Sequence, residues 1–335
     1  PSLAGGVLLA AYPDRAAQRT RLDDPHTSRW RLASGRGAIV RGPLAGGEFL
    51  VVADLDGGEH DARVFTAAPV TREDLAGGRA GAVRNTWLLA WRGWQPKPRV
   101  ETRLGALVLA ARSEPTVPEK ILREAALARL RASGLDALPW REPTRRFLAR
   151  CLCVARWGGE PGWPDVRDER LLDRAGEWLA PFGNWRRGPV WSEKDVDRAA
   201  ANLLTRAQRK RLDELAPEFR TLPSGARRKI DYHPPEGPRL AAPLQAWFGS
   251  TDHPMVCGRP VLLDLLNPAG RTVQLTRDLD GFWDRTYPEV RKTLRGRYPR
   301  HAWPENPRAA RPILRAEPKK HRKADRRDKS IAGKK

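Results

Sequence analysis

Between Ser28 and Arg112 apolar side chains return at every second position, and from Val117 onward they return at helical spacing. A chain with that change of period must build a small β-structure first and a helix-bearing structure after it, so an α+β fold is expected. Candidate strands are Arg29–Ala33, Gly37–Arg41, Glu48–Leu55, Ala62–Ala68, Thr86–Gly93 and Thr102–Ala111, with the turn-formers Ser34-Gly35, Gly46-Gly47, Gly57-Gly58 and Gly77-Gly78 between them. Short strands at such close intervals suit a small closed barrel over residues 28–113. Glu48–Leu55 is apolar almost throughout, which predicts burial on both faces. Upstream, Val7–Thr20 has helical spacing as far as Pro13 and then turns polar, as the end of a helical region whose partners precede it would. Trp87, Trp91 and Trp94 fall in a predicted strand; barrel core is the expected role, with a stacking surface as the alternative.

The second half opens on the helix Val117–Ser133, with Pro118 in its first turn and Gly134 after its last. Further helices are expected at Pro143–Ala155, Asp168–Leu179 and Glu193–Leu215. Strands follow at Phe219–Leu222, Lys229–Tyr232, Val261–Leu266 and Thr272–Thr276, the last two joined as a hairpin by Asn267-Pro268-Ala269-Gly270. A terminal helix, Leu279–Gly296, should be interrupted near Pro288. The expected divisions are residues 1–27 from a helical region, the barrel at 28–113, a helical linker and α/β domain at 114–306, and a basic tail at 307–335.

Charge narrows the function. The chain has 335 residues with 62 Lys and Arg against 40 Asp and Glu, a net of +22, which favours polyanionic partners. Only 12 of the basic residues are Lys, so part of the excess reflects a general preference for Arg; six of those 12 lie between Lys319 and Lys335, where that explanation fails. Arg308–Lys335 carries 12 basic residues against three acidic ones and little apolar surface, so a disordered arm is expected. Cys151, Cys153 and Cys257 are too few for a disulfide framework and read as thiols in a reducing compartment, which with the lack of a long apolar run predicts a cytoplasmic location and no membrane insertion. Cys151 and Cys153 should be small buried residues rather than zinc ligands, and the six histidines lack metal spacing.

No phosphate loop of the form G-x-x-x-x-G-K-[ST] occurs, no acidic Mg²⁺-binding box follows an apolar strand, and no nucleophile elbow is present. Asp252-His253 sits in an expected loop, where solvation is the simpler reading. No catalytic residues, metal or cofactor are therefore assigned. What remains is Arg277–His301, where Phe282, Trp283, Tyr287 and Tyr298 alternate with Arg285, Arg291, Lys292, Arg295 and Arg297. Aromatic platforms among cations hold single strands. Packing on the sheet is the expected role for Phe282 and Trp283. Candidate nucleic-acid contacts are Arg228, Lys229, Arg277, Arg285, Tyr287, Arg291, Lys292, Arg295, Arg297 and Tyr298.

Ser224–Tyr232 (SGARRKIDY), Leu244–Gly249 (LQAWFG), Val261–Arg271 (VLLDLLNPAGR), Val273–Leu279 and above all Phe282–Pro304 (FWDRTYPEVRKTLRGRYPRHAWP) resemble the carboxy-terminal signature of the HrpB family. Leu8–Arg15, Gly46–Leu55, Arg103–Ala111 and Gly134–Trp140 fit the same family, so the resemblance covers nearly the whole chain to about Pro307. It implies a DEAH-box, superfamily 2, ATP-dependent RNA helicase in which two RecA-like domains and a helical region precede an OB-like barrel and a family-specific domain. The phosphate loop, DEAH box and arginine-finger motif of that family are missing from these residues. ATP and Mg²⁺ are accordingly expected only on motor domains outside this sequence, and the chain should be inactive alone. A piece of a longer polypeptide is the reading favoured, since Pro1 is the first residue and Met255 the only methionine. The expected partners are single-stranded RNA or another nucleic acid, and the RecA-like motor domains. A protein-docking module with incidental charge is the rival.

Overall fold

In a computed structural model describing residues 3–57, 61–77 and 83–313, the change of period becomes a change of architecture. The chain divides into two units, Pro1–Ala132 with Gly183–Ser192, and Ser133–Phe182 with Glu193–Lys335.

The first unit begins with α1 (Leu3–Ala11), followed by β1 (Ala16–Asp24), β2 (Thr27–Leu32), β3 (Gly37–Arg41), β4 (Phe49–Leu55) and β5 (Ala62–Val70). These five strands close into a barrel in the order β1-β2-β3-β5-β4, antiparallel except for β3 against β5. β4 explains its unbroken apolar run. Leu50 and Val52 point into the barrel with Ala17, Trp30 and Val40, while Phe49 and Val51 pack outside it with Leu9 of α1, Leu75 and Leu107. The helix predicted over Val7–Thr20 therefore ends at Ala11, ahead of Pro13; Leu9 packs with Phe49 and Val51 of β4, while Leu3 and Val7 stay exposed. Ala16 and Ala17 are the only fully buried residues of β1, so pairing with β2 and β4 rather than composition makes this segment a strand.

After α2 (Arg72–Ala76) come β6 (Arg84–Arg92), β7 (Gln95–Leu104) and β8 (Leu107–Ser113), a separate three-stranded sheet rather than two further barrel strands. β7 starts earlier than expected despite Pro96 and Pro98. That stretch has β6 on one side, but β8 pairs only from Arg99, so a missing N–H there breaks no ladder on the open side. The tryptophans accordingly belong to this sheet and not to the barrel core. Trp94 meets Trp191 edge to face at 4.8 Å, Trp191 meets Trp185 at 5.9 Å, and Val190 N–H donates to Trp94 O at 2.9 Å. α3 (Glu119–Ser133) lays Arg129 over Trp91 and Trp94 at 5.5 and 5.4 Å.

The second unit contains α4 (Glu142–Trp157), α5 (Asp168–Asp173), α6 (Ala175–Trp178), α7 (Glu193–Ala201), α8 (Arg206–Leu215), β9 (Phe219–Thr221), β10 (Arg227–Lys229), β11 (Arg239–Pro243), β12 (Met255–Val256), β13 (Arg259–Pro260), β14 (Leu262–Leu266), β15 (Thr272–Thr276), α9 (Leu279–Arg285) and α10 (Tyr287–Arg297). β14 is the middle strand of a sheet, parallel to β11 and antiparallel to β15. The expected hairpin and the interruption near Pro288 are both present. The single helix predicted over Glu193–Leu215 is two, because Thr205 and Gln208 form a reciprocal cap that starts a new one. The region expected to be tail begins later than 307. Gly249 N–H donates to Pro307 O, Ile313 N–H donates to Gln245 O, both at 2.9 Å, and Arg308 pairs with Asp280 and Asp284. The remainder of that tail, 314–335, lies outside the described residues.

Candidate nucleic-acid interface

Phe248, Phe282, Trp283 and Tyr287 assemble a core of their own under α9 and α10. Phe282 and Trp283 stand 5.0 Å apart, Trp283 and Tyr287 5.3 Å, and Phe248 and Tyr287 6.1 Å. Trp283 Nε1–H donates to Ser250 O at 2.9 Å and Tyr287 O–H donates to Pro304 O at 3.0 Å. Phe282 and Trp283 thus anchor the helices as expected. Tyr287 corrects the reading of it as a base contact: it is 1% exposed, its hydroxyl is engaged, and burial pushes its pKa up to about 12. An aromatic in a basic stretch here faces inward because Tyr287, the residue that opens α10 ahead of Pro288, packs on Phe248, Phe282 and Trp283.

The candidate cations separate into three kinds. Arg291 is structural: Nε–H donates to Trp303 O at 2.9 Å and Nη2 meets Glu305 at 3.0 Å. Arg277 and Arg285 are exposed but engaged, with Glu236 O at 2.7 Å and Asp278 at 2.6 Å. Such exposed pairs are weak and exchange readily. On the β9–β10 hairpin Lys229 lies 5.6 Å over Phe219, while Arg228 is half-buried and, among the described residues, reaches only its neighbour's carbonyl at 3.4 Å. Lys292 and Arg295 of α10 are exposed and, among the described residues, have no hydrogen bond or ion pair. Arg297 is also exposed and lies 5.9 Å over half-buried Tyr298. Lys292 and Arg295 are three residues apart and share a helix face.

The predicted list missed a second cationic group. Arg156 and Arg259 approach the half-buried ring of Trp157 at 5.2 and 5.7 Å, and Arg259 and Arg277 line a cavity beside that ring with Glu236, Pro238 and Val256. Four separate segments meet there, which no spacing rule reveals.

Cys151 and Cys153 are buried, and burial pushes the Cys151 thiol up to about 12, so it is no nucleophile at neutral pH. The Cys153 thiol is raised by a hydrogen bond with Cys257 and then by burial. His253 is not solvated in its loop: Nε2 faces Val261 O at 2.7 Å and Nδ1 accepts from Leu279 N–H at 3.2 Å. Among the described residues no group of three or more acidic, cysteine or histidine side chains is placed to hold a metal ion, and no helix is long and apolar enough to cross a membrane.

Residues 178–307 match the family model HrpB_C, ATP-dependent helicase C-terminal. Over 325 residues the chain is 34% identical to the ATP-dependent RNA helicase HrpB of Escherichia coli (strain K12), spanning 94% of this chain but 39% of that protein. The crystal structure of the E. coli DExH-box NTPase HrpB superposes with a TM-score of 0.56 at 34% identity, over 94% of this chain and 40% of that one.

Proposed function

Because the chain corresponds to the carboxy-terminal part of an HrpB-like helicase, we propose that it is an accessory nucleic-acid-binding region that guides single-stranded RNA for motor domains outside this sequence. The observation that carries this reading is the exposed, uncompensated cation strip of α10. Of the 26 described arginines of the second unit, 12 are paired with carboxylates, whereas Lys292 and Arg295 stand together on one helix face with no hydrogen bond or ion pair among the described residues. Neighbouring like charges repel one another, and a phosphate backbone removes that repulsion while releasing counterions. The barrel supports the same role. Its strand order, with β3 parallel to β5, suits an OB-type module, a class that binds oligonucleotides. The three free thiols suit work in the cytoplasm.

Binding of a labelled single-stranded RNA at two salt concentrations tests this. Replacing Lys292, Arg295 and Arg297 together with Gln should weaken binding and lower the salt slope by up to about 2, at about 0.7 per lost phosphate contact. A slope equal to the parent's removes α10 from the RNA path. One observation favours docking of a protein partner instead: Leu152, 42% exposed, opens on a cavity of about 620 Å³ walled by Ala155, Trp163 and Pro164. Binding to a motor domain that Leu152→Glu abolishes, without change in RNA affinity, would mark that face as the docking surface.

A further inference from the structure

A cavity of about 390 Å³ in the second unit is bounded by Trp157, Glu236, Pro238, Pro260, Arg259 and Arg277. Its floor is the indole of Trp157, the last residue of α4. The ring is held in place by the backbone beneath it. Gly237, at φ +116°, lies so close that a Cβ there would meet a ring carbon at 2.7 Å. Only glycine satisfies both the backbone angle and that approach. The opposite rim is the β12–β13 hairpin, whose two turn residues, Cys257 and Gly258, both have positive φ, 48° and 71°. That tight turn fixes where Arg259 stands.

Two guanidinium groups, those of Arg259 and Arg277, line this cavity, and Arg156 approaches the same indole from the neighbouring position of α4. Arg156 and Arg259 lie 5.2 and 5.7 Å from the indole centroid and, among the described residues, have neither hydrogen bond nor ion pair. Arg277 is tied to the rim through Glu236 O at 2.7 Å. The one lining carboxylate, Glu236, is exposed, so the cavity is net cationic. A flat, half-buried aromatic platform with proline walls selects a flat ring. Uncompensated guanidiniums beside it select an anion attached to that ring.

We propose that this cavity holds one nucleotide, its base stacked on Trp157 or on the guanidinium plane beside it and its phosphate paired with Arg259 and Arg277. This deepens the reading of the chain as an RNA-binding region, and rests on it where the nucleotide belongs to a strand. The same chemistry fits a free nucleotide, so the experiment compares a short single-stranded oligoadenylate with AMP.

Affinities are measured for the full chain and for Trp157→Leu, Trp157→Phe and Arg259→Gln. Trp157→Leu should weaken binding roughly five- to 150-fold, the loss of one stacked base, while Trp157→Phe retains most of the affinity. Arg259→Gln lies on an exposed hairpin and should leave melting unchanged while lowering the salt slope for oligoadenylate by about 0.7. If Trp157→Leu does not fold, Arg259→Gln together with photocrosslinking of a 4-thiouridine strand decides: crosslinks to the peptides bearing Trp157 or Arg259 support the site. Oligoadenylate binding far tighter than AMP identifies a strand as the source, and equal binding identifies a free nucleotide. If the parent binds oligoadenylate and both Trp157→Leu and Arg259→Gln bind it equally well, the cavity is overturned while the wider reading stands. If the parent binds only AMP and Trp157→Leu loses it, the RNA reading fails and the cavity stands. No binding of either ligand overturns both.

Discussion

Asp264 lies at the middle of β14 with a side chain 5% exposed, and it presents one carboxylate oxygen to the Arg239 guanidinium. The other oxygen has no hydrogen-bond partner among the described residues. A buried charge depends on its counter-ion far more than a surface charge does. Arg239→Gln should therefore cost about 3 kcal/mol of unfolding free energy, the low end for a broken buried pair because the guanidinium is itself 34% exposed. The double change Arg239→Met with Asp264→Leu should recover most of that loss in urea denaturation, and failure to recover would mean the arginine stabilises by packing alone. His253 makes a pH-dependent contribution of opposite chemistry. Its Nδ1 must stay unprotonated to accept from Leu279, and burial holds its pKa below the ordinary 6.5. The unfolded chain takes up that proton first as pH falls, so the contribution is whole above about pH 6.5 and is lost as the pH drops through the lower folded value. The urea midpoint should fall between pH 7.5 and pH 5.5, and His253→Gln should flatten that dependence. No charge pattern marked Arg239, and His253 was marked beside Asp252 but expected to be solvated, because the engagement of both is decided by segments distant in sequence.

At the scale of elements, the sequence was most legible where period and punctuation agreed. The doubly buried β4, the β14–β15 hairpin and the break at Pro288 all follow from residues within a few positions of one another. It was least legible where pairing overrides composition, as in β1, or where a local signal was outvoted by a longer one. Thr205-x-x-Gln208 is such a signal: the apolar spacing over Glu193–Leu215 ran through it, yet the cap starts α8. Thr205→Ala should cost about 1 kcal/mol, with a loss of helical circular dichroism near the melting transition. An unchanged melting curve would place the cap's energy elsewhere. The candidate interface divides the same way. Lys292 and Arg295 were readable from their spacing on one helix, whereas Tyr287 was misread because its basic neighbours hid an inward turn. Trp157 and Arg259 come from α4 and β13, about a hundred positions apart, and no local pattern joins them.

For the whole molecule, charge and motif content together predict a chain that binds RNA and hydrolyses no ATP, since neither a phosphate loop nor an acidic Mg²⁺-binding box occurs in its sequence. A phosphate-release assay with and without RNA checks this, and turnover that follows the chain through size exclusion would overturn it. The tryptophan cluster of the first unit has a further consequence. Trp185 and Trp191 belong to that unit by contact but arrive fifty residues after its main run has ended, beyond α4, α5 and α6. No single cut in the polypeptide can therefore yield the first unit whole. A protein ending at Ala132 should show an exposed Trp94 and a lowered melting temperature, and a synthetic peptide of residues 183–192 should bind it and restore both. The second unit is in this sense an insertion with one open end, and truncations designed from a linear map of the chain would leave a hole where the returning strap belongs.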